Sequence, residues 1–144
     1  MASRQNWSVV QDQRGVMYFG NNDGVLTYDG VSWRLIKIPG VGPLAIDSTG
    51  TVYVGLDNDI GYLKPDATGN LQFHSLLPEI PEEHREINIC YRVFVLGGQV
   101  IYQTADRIYL YNGRIFQVIA TKTRFHFSFL VNNRFYVAEA GTGL

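Results

Sequence analysis

Residues 15–30 read GVMYFGNNDGVLTYDG, two apolar alternations on either side of Asn21-Asn22-Asp23-Gly24. Val16, Tyr18 and Gly20 share one parity, Met17 and Phe19 the other. β-forming residues on both parities mark a strand covered on both faces. NNDG is a turn signal, and VLTYDG reads as a second strand closed by the turn Asp29-Gly30. Upstream, NWSVVQDQRG is a strand that ends at Gln13-Arg14-Gly15, and downstream SWRLIKIP is a fourth that ends at Pro39. The unit is four short strands in tight turns, from about Asn6 to Pro39.

The unit recurs. From Gly42 to Pro78 the order repeats, with Ala45-Ile46-Asp47 matching Val10-Gln11-Asp12 and TVYVG matching VMYFG. A looser third copy runs from Cys90 to Ile119, and a fourth, FHFSFLVNNRFYVAEAGTGL, stops after its second strand. Tyr18, Tyr53, Tyr102 and Tyr136, spaced 35, 49 and 34 residues apart, are expected to mark one place in each second strand. Four strands per repeat at this period are the signature of β-propeller blades, which must stack on neighbours to bury both faces. No window of ten or more residues keeps helical apolar spacing. The expectation is an all-β chain of about three and a half blades, a partial propeller with blades at approximately 6–39, 42–78 and 89–120 and an incomplete one at 125–144.

Composition supports this reading. An aromatic share of 13 % favours strands. A net charge of −1, with acids and bases mixed, gives no footprint for nucleic acid or an anionic membrane. No apolar run is long enough to span a bilayer, so this stretch is not expected to insert in a membrane. The lone Cys90, within INICYRVFV, excludes an intramolecular disulfide and reads as a buried structural thiol. Three and a half blades do not close, so the chain is expected to be a fragment of a larger propeller or to assemble with copies of itself. Open blade edges favour a homo-oligomer.

WSVVQDQRGVMYFGNNDGVLTYDG resembles the two-component regulator propeller repeat, and LAIDSTGTVYVGLDNDIGYL is a second match. VFVLGGQVIYQTADRIYLYNG is a degenerate third, so the resemblance covers about three quarters of the chain. Asn21 and Leu56 stand where that repeat usually has Thr, and Tyr18 and Tyr53 where Trp is frequent. The resemblance implies the N-terminal part of the extracytoplasmic sensor region of a hybrid histidine kinase, in the periplasm of a Gram-negative bacterium. It implies signal recognition, in many relatives of a carbohydrate or other nutrient cue, with the chemistry done by other modules.

Tested residue by residue, the chain offers little chemistry of its own. Asp57-Asn58-Asp59-Ile60-Gly61 is the best metal candidate, but no Glu follows at a calcium loop's spacing, and Asp and Asn are the residues such turns prefer. Gly40-Val41-Gly42 lacks the Lys-Ser/Thr of a phosphate loop and reads as an inter-blade connection. His74, His84 and His126 lie in different segments, and a zinc site needs at least three converging ligands. Trp7 and Trp33 are expected to pack between blades, Asn6-Trp7-Ser8 is an accidental glycosylation match, and Lys122 and Arg124 are loop cations.

The insertion LPEIPEEHREIN, Leu77 to Asn88, breaks the period and is Pro-bounded and charged. It is either a recognition loop or a solvated loop or short helical turn. Its acids adjoin in sequence and do not face each other as a glycosidase pair must. No catalytic residue, metal or cofactor is assigned. The ligand-facing candidates are Asn22, Asp23, Asp57, Asp59, Glu83, His84, Arg85 and Arg107, on the turns between second and third strands and on the insertion. The rivals are a propeller lyase or hydrolase, which needs acids and histidines converging from several blades, and a scaffold for a protein partner.

Overall fold

In the computed structural model, which describes residues 6–132 and 134–139, the chain forms three four-stranded antiparallel sheets and one strand pair. Blade 1 is β1 (Asn6–Gln11), β2 (Met17–Asn21), β3 (Gly24–Tyr28) and β4 (Trp33–Lys37), side by side in chain order. Blade 2 is β5 (Val41–Ile46), β6 (Val52–Leu56), β7 (Ile60–Pro65) and β8 (Leu71–Ser75). Blade 3 is β9 (Arg92–Leu96), β10 (Gln99–Gln103), β11 (Arg107–Tyr111) and β12 (Phe116–Ala120). β13 (Phe125–Val131) pairs with β14 (Arg134–Glu139). The first strands β1, β5 and β9 adjoin one another, so the sheets stack about a common inner edge as an all-β partial propeller.

Side-chain alternation builds each interface. Val10, Val16, Tyr18, Val25 and Ile36 of blade 1 pack on Leu44, Val52, Val54 and Leu63 of blade 2. One step along each strand of blade 2 the side chains point the other way, and Tyr53, Ile60 and Tyr62 meet Val93, Tyr102, Tyr109 and Tyr111 of blade 3. Ile101 and Ile108 in turn meet Phe125, Phe135 and Val137.

The inner edges approach closely because two glycines allow it. A Cβ on Gly20 would lie 2.6 Å from the Gly42 carbonyl oxygen, and one on Gly55 would lie 2.6 Å from Cys90 Sγ. The Ser8 hydroxyl donates to the same Gly42 carbonyl at 3.0 Å. Burial pushes the Cys90 thiol up to about 12, which makes it a packing residue and not a nucleophile.

Two expectations are corrected. Tyr102 is not the counterpart of Tyr18 and Tyr53. Gly20, Gly55 and Gln103 pair with Val25, Ile60 and Ile108 at the same distance from their turns, so Ile101 takes the tyrosine position and Tyr102 faces the opposite way. The reason lies in the preceding turn. Tyr18 and Tyr53 donate to Asp12 and Asp47 at 3.2 and 2.9 Å, whereas blade 3 replaces that turn with Gly97-Gly98, which offers no carboxylate. Tyr102 instead donates across the interface to the Gly61 carbonyl at 2.9 Å.

Trp33 is the second correction. It is 57 % exposed and stacks on Tyr28 at 4.4 Å, on the face of blade 1 turned away from blade 2. No blade covers that face among the described residues, so there is no second sheet for it to meet. The side chains of Trp7 and His126 lie outside the described residues.

Candidate functional site

The turns between second and third strands, and the connections that enter each first strand, lie at one end of the blades. At that end the first strands begin at a cleft of about 580 Å³. Ser8 and Arg92 line it from equivalent positions, opposite Gly20 and Gln103, Pro43 lines it from the irregular start of β5, and Asn22, Asp57 and Tyr91 close its sides. Three blades thus supply a carboxylate, a guanidinium, an amide, a hydroxyl and an aromatic ring. Tyr91 is 45 % exposed, and Ile89 beside it 46 %, so apolar surface is presented to solvent there.

The sequence-derived candidates separate into three groups. Asn22 and Asp57 line this cleft, the Asp57 carboxylate lying over Gly40, where a Cβ would be 2.7 Å from its Oδ2. Asp23 is turned outward, onto a second cleft of about 440 Å³ that it shares with Asn22, Lys37 and Pro39. The others surround the insertion, and most of them hold the scaffold.

Residues 77–88 form two 3₁₀ turns, Leu77–Glu79 and Glu82–His84. Leu76 and Ile80, with Ile87, are buried against blades 2 and 3, so the segment is a packed plug and not a solvated loop. Arg85 donates to the Ile80 and Pro78 carbonyls at 2.7 and 3.0 Å, which ties the segment to itself. Arg107 donates to His84 Nδ1 at 3.3 Å and to the Glu86 carbonyl at 3.2 Å, while Tyr109 donates to the His84 carbonyl at 2.7 Å. Asp59 accepts from the Ser75 hydroxyl at 2.8 Å and from the Ile60 amide at 2.7 Å. Burial raises the Asp59 carboxyl above its ordinary value, outweighing these two bonds. Glu83 is exposed on the second 3₁₀ turn.

Tyr91 and Arg92 were missed in the sequence because INICYRVFV reads as one apolar strand. The signal that finds them is positional: the first residues of an innermost blade strand reach the mouth, whatever their polarity. Among the described residues no three His, Cys, Asp or Glu side chains converge as metal ligands, and no helix is long and apolar enough to cross a membrane.

No family model and no curated protein matches the chain. Among the solved structures that share its fold are two of the extracellular domain of BT4673 from B. thetaiotaomicron. The one described as a hybrid two component system aligns with a TM-score of 0.70 and 19 % identity over 96 % of this chain. The other, described as a one component system, aligns with a TM-score of 0.67 and 17 % identity over 93 %. This chain spans 19 % of the length of either. The likeness is one of fold, and it fits the blade repeat read from the sequence.

Proposed function

We propose that this chain is part of a non-catalytic, extracytoplasmic sensor propeller of a two-component signalling receptor, and that it binds a carbohydrate or related small molecule at the 580 Å³ cleft. The observation that carries the reading is the convergence of Asn22, Asp57, Tyr91 and Arg92 on one mouth from three blades. An exposed aromatic ring beside fixed polar groups suits a sugar, whose ring faces are apolar and whose hydroxyls need partners. Periplasmic placement and a homo-oligomer belong to the same reading. The uncovered face with Val9 and Trp33 is what a further blade would cover.

The test is a screen of the chain against neutral and acidic oligosaccharides, scored by melting-temperature shift and followed by titration calorimetry. A binder should lose at least about tenfold in affinity on either Tyr91→Ala or Arg92→Ala, the loss of one stacking or charged contact. A glycan whose affinity ignores both substitutions, or a screen with no binder, counts against this cleft.

A further inference from the structure

The outer halves of neighbouring blades diverge, and this chain treats its two gaps differently. Between blades 2 and 3 the segment after β8 fills the gap, Leu76, Leu77 and Ile80 joining the cluster that holds Tyr111, Phe116 and Val118. Between blades 1 and 2, Ile38-Pro39-Gly40 leads directly from β4 to β5, and a groove of about 860 Å³ stays open. Its floor is apolar, with Ile36, Val52, Leu63 and Leu71. Its rim is basic. Arg34, paired with Thr27, lines it on the face that looks at blade 2, and Lys37, of the opposite parity, borders it from the end of β4. Neither forms an ion pair among the described residues, whereas Arg14, at the same groove, is held by Asp12 at 2.8 Å. The groove's carboxylate, Asp29, accepts from the Val31 and Ser32 amides of its own turn.

We propose that the groove between blades 1 and 2 docks an extended acidic peptide, which sends apolar side chains to the floor and carboxylates to Arg34 and Lys37. The filled gap supplies the precedent. Its occupant, Leu76-Leu77-Pro78-Glu79-Ile80-Pro81-Glu82-Glu83, interleaves apolar and acidic residues, and a rim of opposite sign awaits such a chain in the open gap. β4 is the outermost strand of its sheet, so its free edge offers backbone partners to an extended chain. A sugar lacks an equivalent fit, because Tyr18 is 3 % exposed and presents no ring face to stack on.

The experiment titrates the full chain into a fluorescein-labelled peptide with the sequence of residues 75–84, SLLPEIPEEH, and reads anisotropy. Saturable binding is expected, weakened by added salt and by about tenfold in the double variant R34E/K37E, whose sites are exposed and whose melting temperature should stay near that of the parent. Arg34→Gln and Lys37→Gln should each weaken it by a smaller factor. A peptide with glutamine in place of its glutamates should bind about as poorly as the double variant does. Absence of saturable binding overturns the proposal. So does binding that survives R34E/K37E but is lost in Arg107→Ala, since the peptide would then have exchanged into the filled gap. Hexagalacturonate binding in its place, with the same dependence on Arg34 and Lys37, overturns the choice of occupant.

Discussion

The interfaces on either side of blade 2 are alike at their inner edges and opposite at their outer ones. Inside, Gly20 against Gly42 and Gly55 against Cys90 bring backbones together, and a larger residue at either glycine would separate the blades. Outside, twisted sheets that meet at one edge must splay apart at the other. The chain then has two solutions. A twelve-residue insertion folds into one gap with Ile80 1 % exposed, and a three-residue connection leaves the other open over half-buried Ile36. The inner edge is therefore set by repeat geometry, and the outer gap is where individual residues decide between core and binding surface.

The most direct way to break this comparison is to shorten one aliphatic side chain in each gap. Ile80→Ala removes a fully enclosed side chain and should cost about 2–5 kcal/mol, read as a lower midpoint in guanidinium unfolding. Ile36→Ala, on the wet floor of the groove, should cost about 1 kcal/mol, the transfer term alone without a sealed cavity. Equal losses would mean that the open groove is packed as tightly as the plugged one, and the distinction would fall.

A smaller effect sharpens it. Tyr109→Phe deletes the 2.7 Å bond to the His84 carbonyl and leaves the ring in place. The expected cost is about 1 kcal/mol, with trypsin cutting faster after Arg85 as the plug opens locally. An unchanged cleavage rate would show that Leu76 and Ile80 hold the segment without help from blade 3.

These effects also mark what the sequence made legible. The blades were readable because Asp12 and Asp47 start turns closed by Gly15 and Gly50, three residues on, and because Tyr18 and Tyr53 answer to those acids. Where Gly97-Gly98 removes the acid, the motif still looks intact but has slipped by one residue, and only the strand register reveals that Tyr102 faces blade 2. The insertion was legible as an interruption, though not as a plug. Charged Glu82, Glu83, Arg85 and Glu86 dominate its composition, whereas three apolar residues spread along it decide its placement. Asp and Asn in turns attracted notice as ligands although most turn carboxylates are occupied by their own backbone, as Asp29 and Asp66 are. Tyr91 and Arg92 gave no local signal, because their exposure comes from the position of β9 in the stack.

The subtlest difference between the gaps is the sign of their response to acid. Asp12, beside the open groove, feels burial, which alone would raise its pKa, but bonds from the Arg14 side chain and from the Val16 and Arg14 amides hold it below 3.8. It therefore adds stability that is complete above 3.8 and disappears as pH falls through its lowered folded value. Asp59, at the filled gap, is shifted the other way: burial raises it above 3.8, so its charge opposes folding at neutral pH. That opposition fades as pH falls through the raised value and is gone by 3.8, a small gain because the half-exposed carboxylate is screened by water. Asp59→Asn, which keeps an acceptor for Ser75 and Ile60, should make the protein slightly more stable at pH 7 and erase that gain on mild acidification. Asp12→Asn should destabilise at pH 7 and flatten the loss below 3.8. Unfolding midpoints measured from pH 7 to pH 2.5 separate the two, and an Asp59 variant that parallels Asp12→Asn would mean that the Ser75 and Ile60 bonds, not burial, govern the acid at the plug.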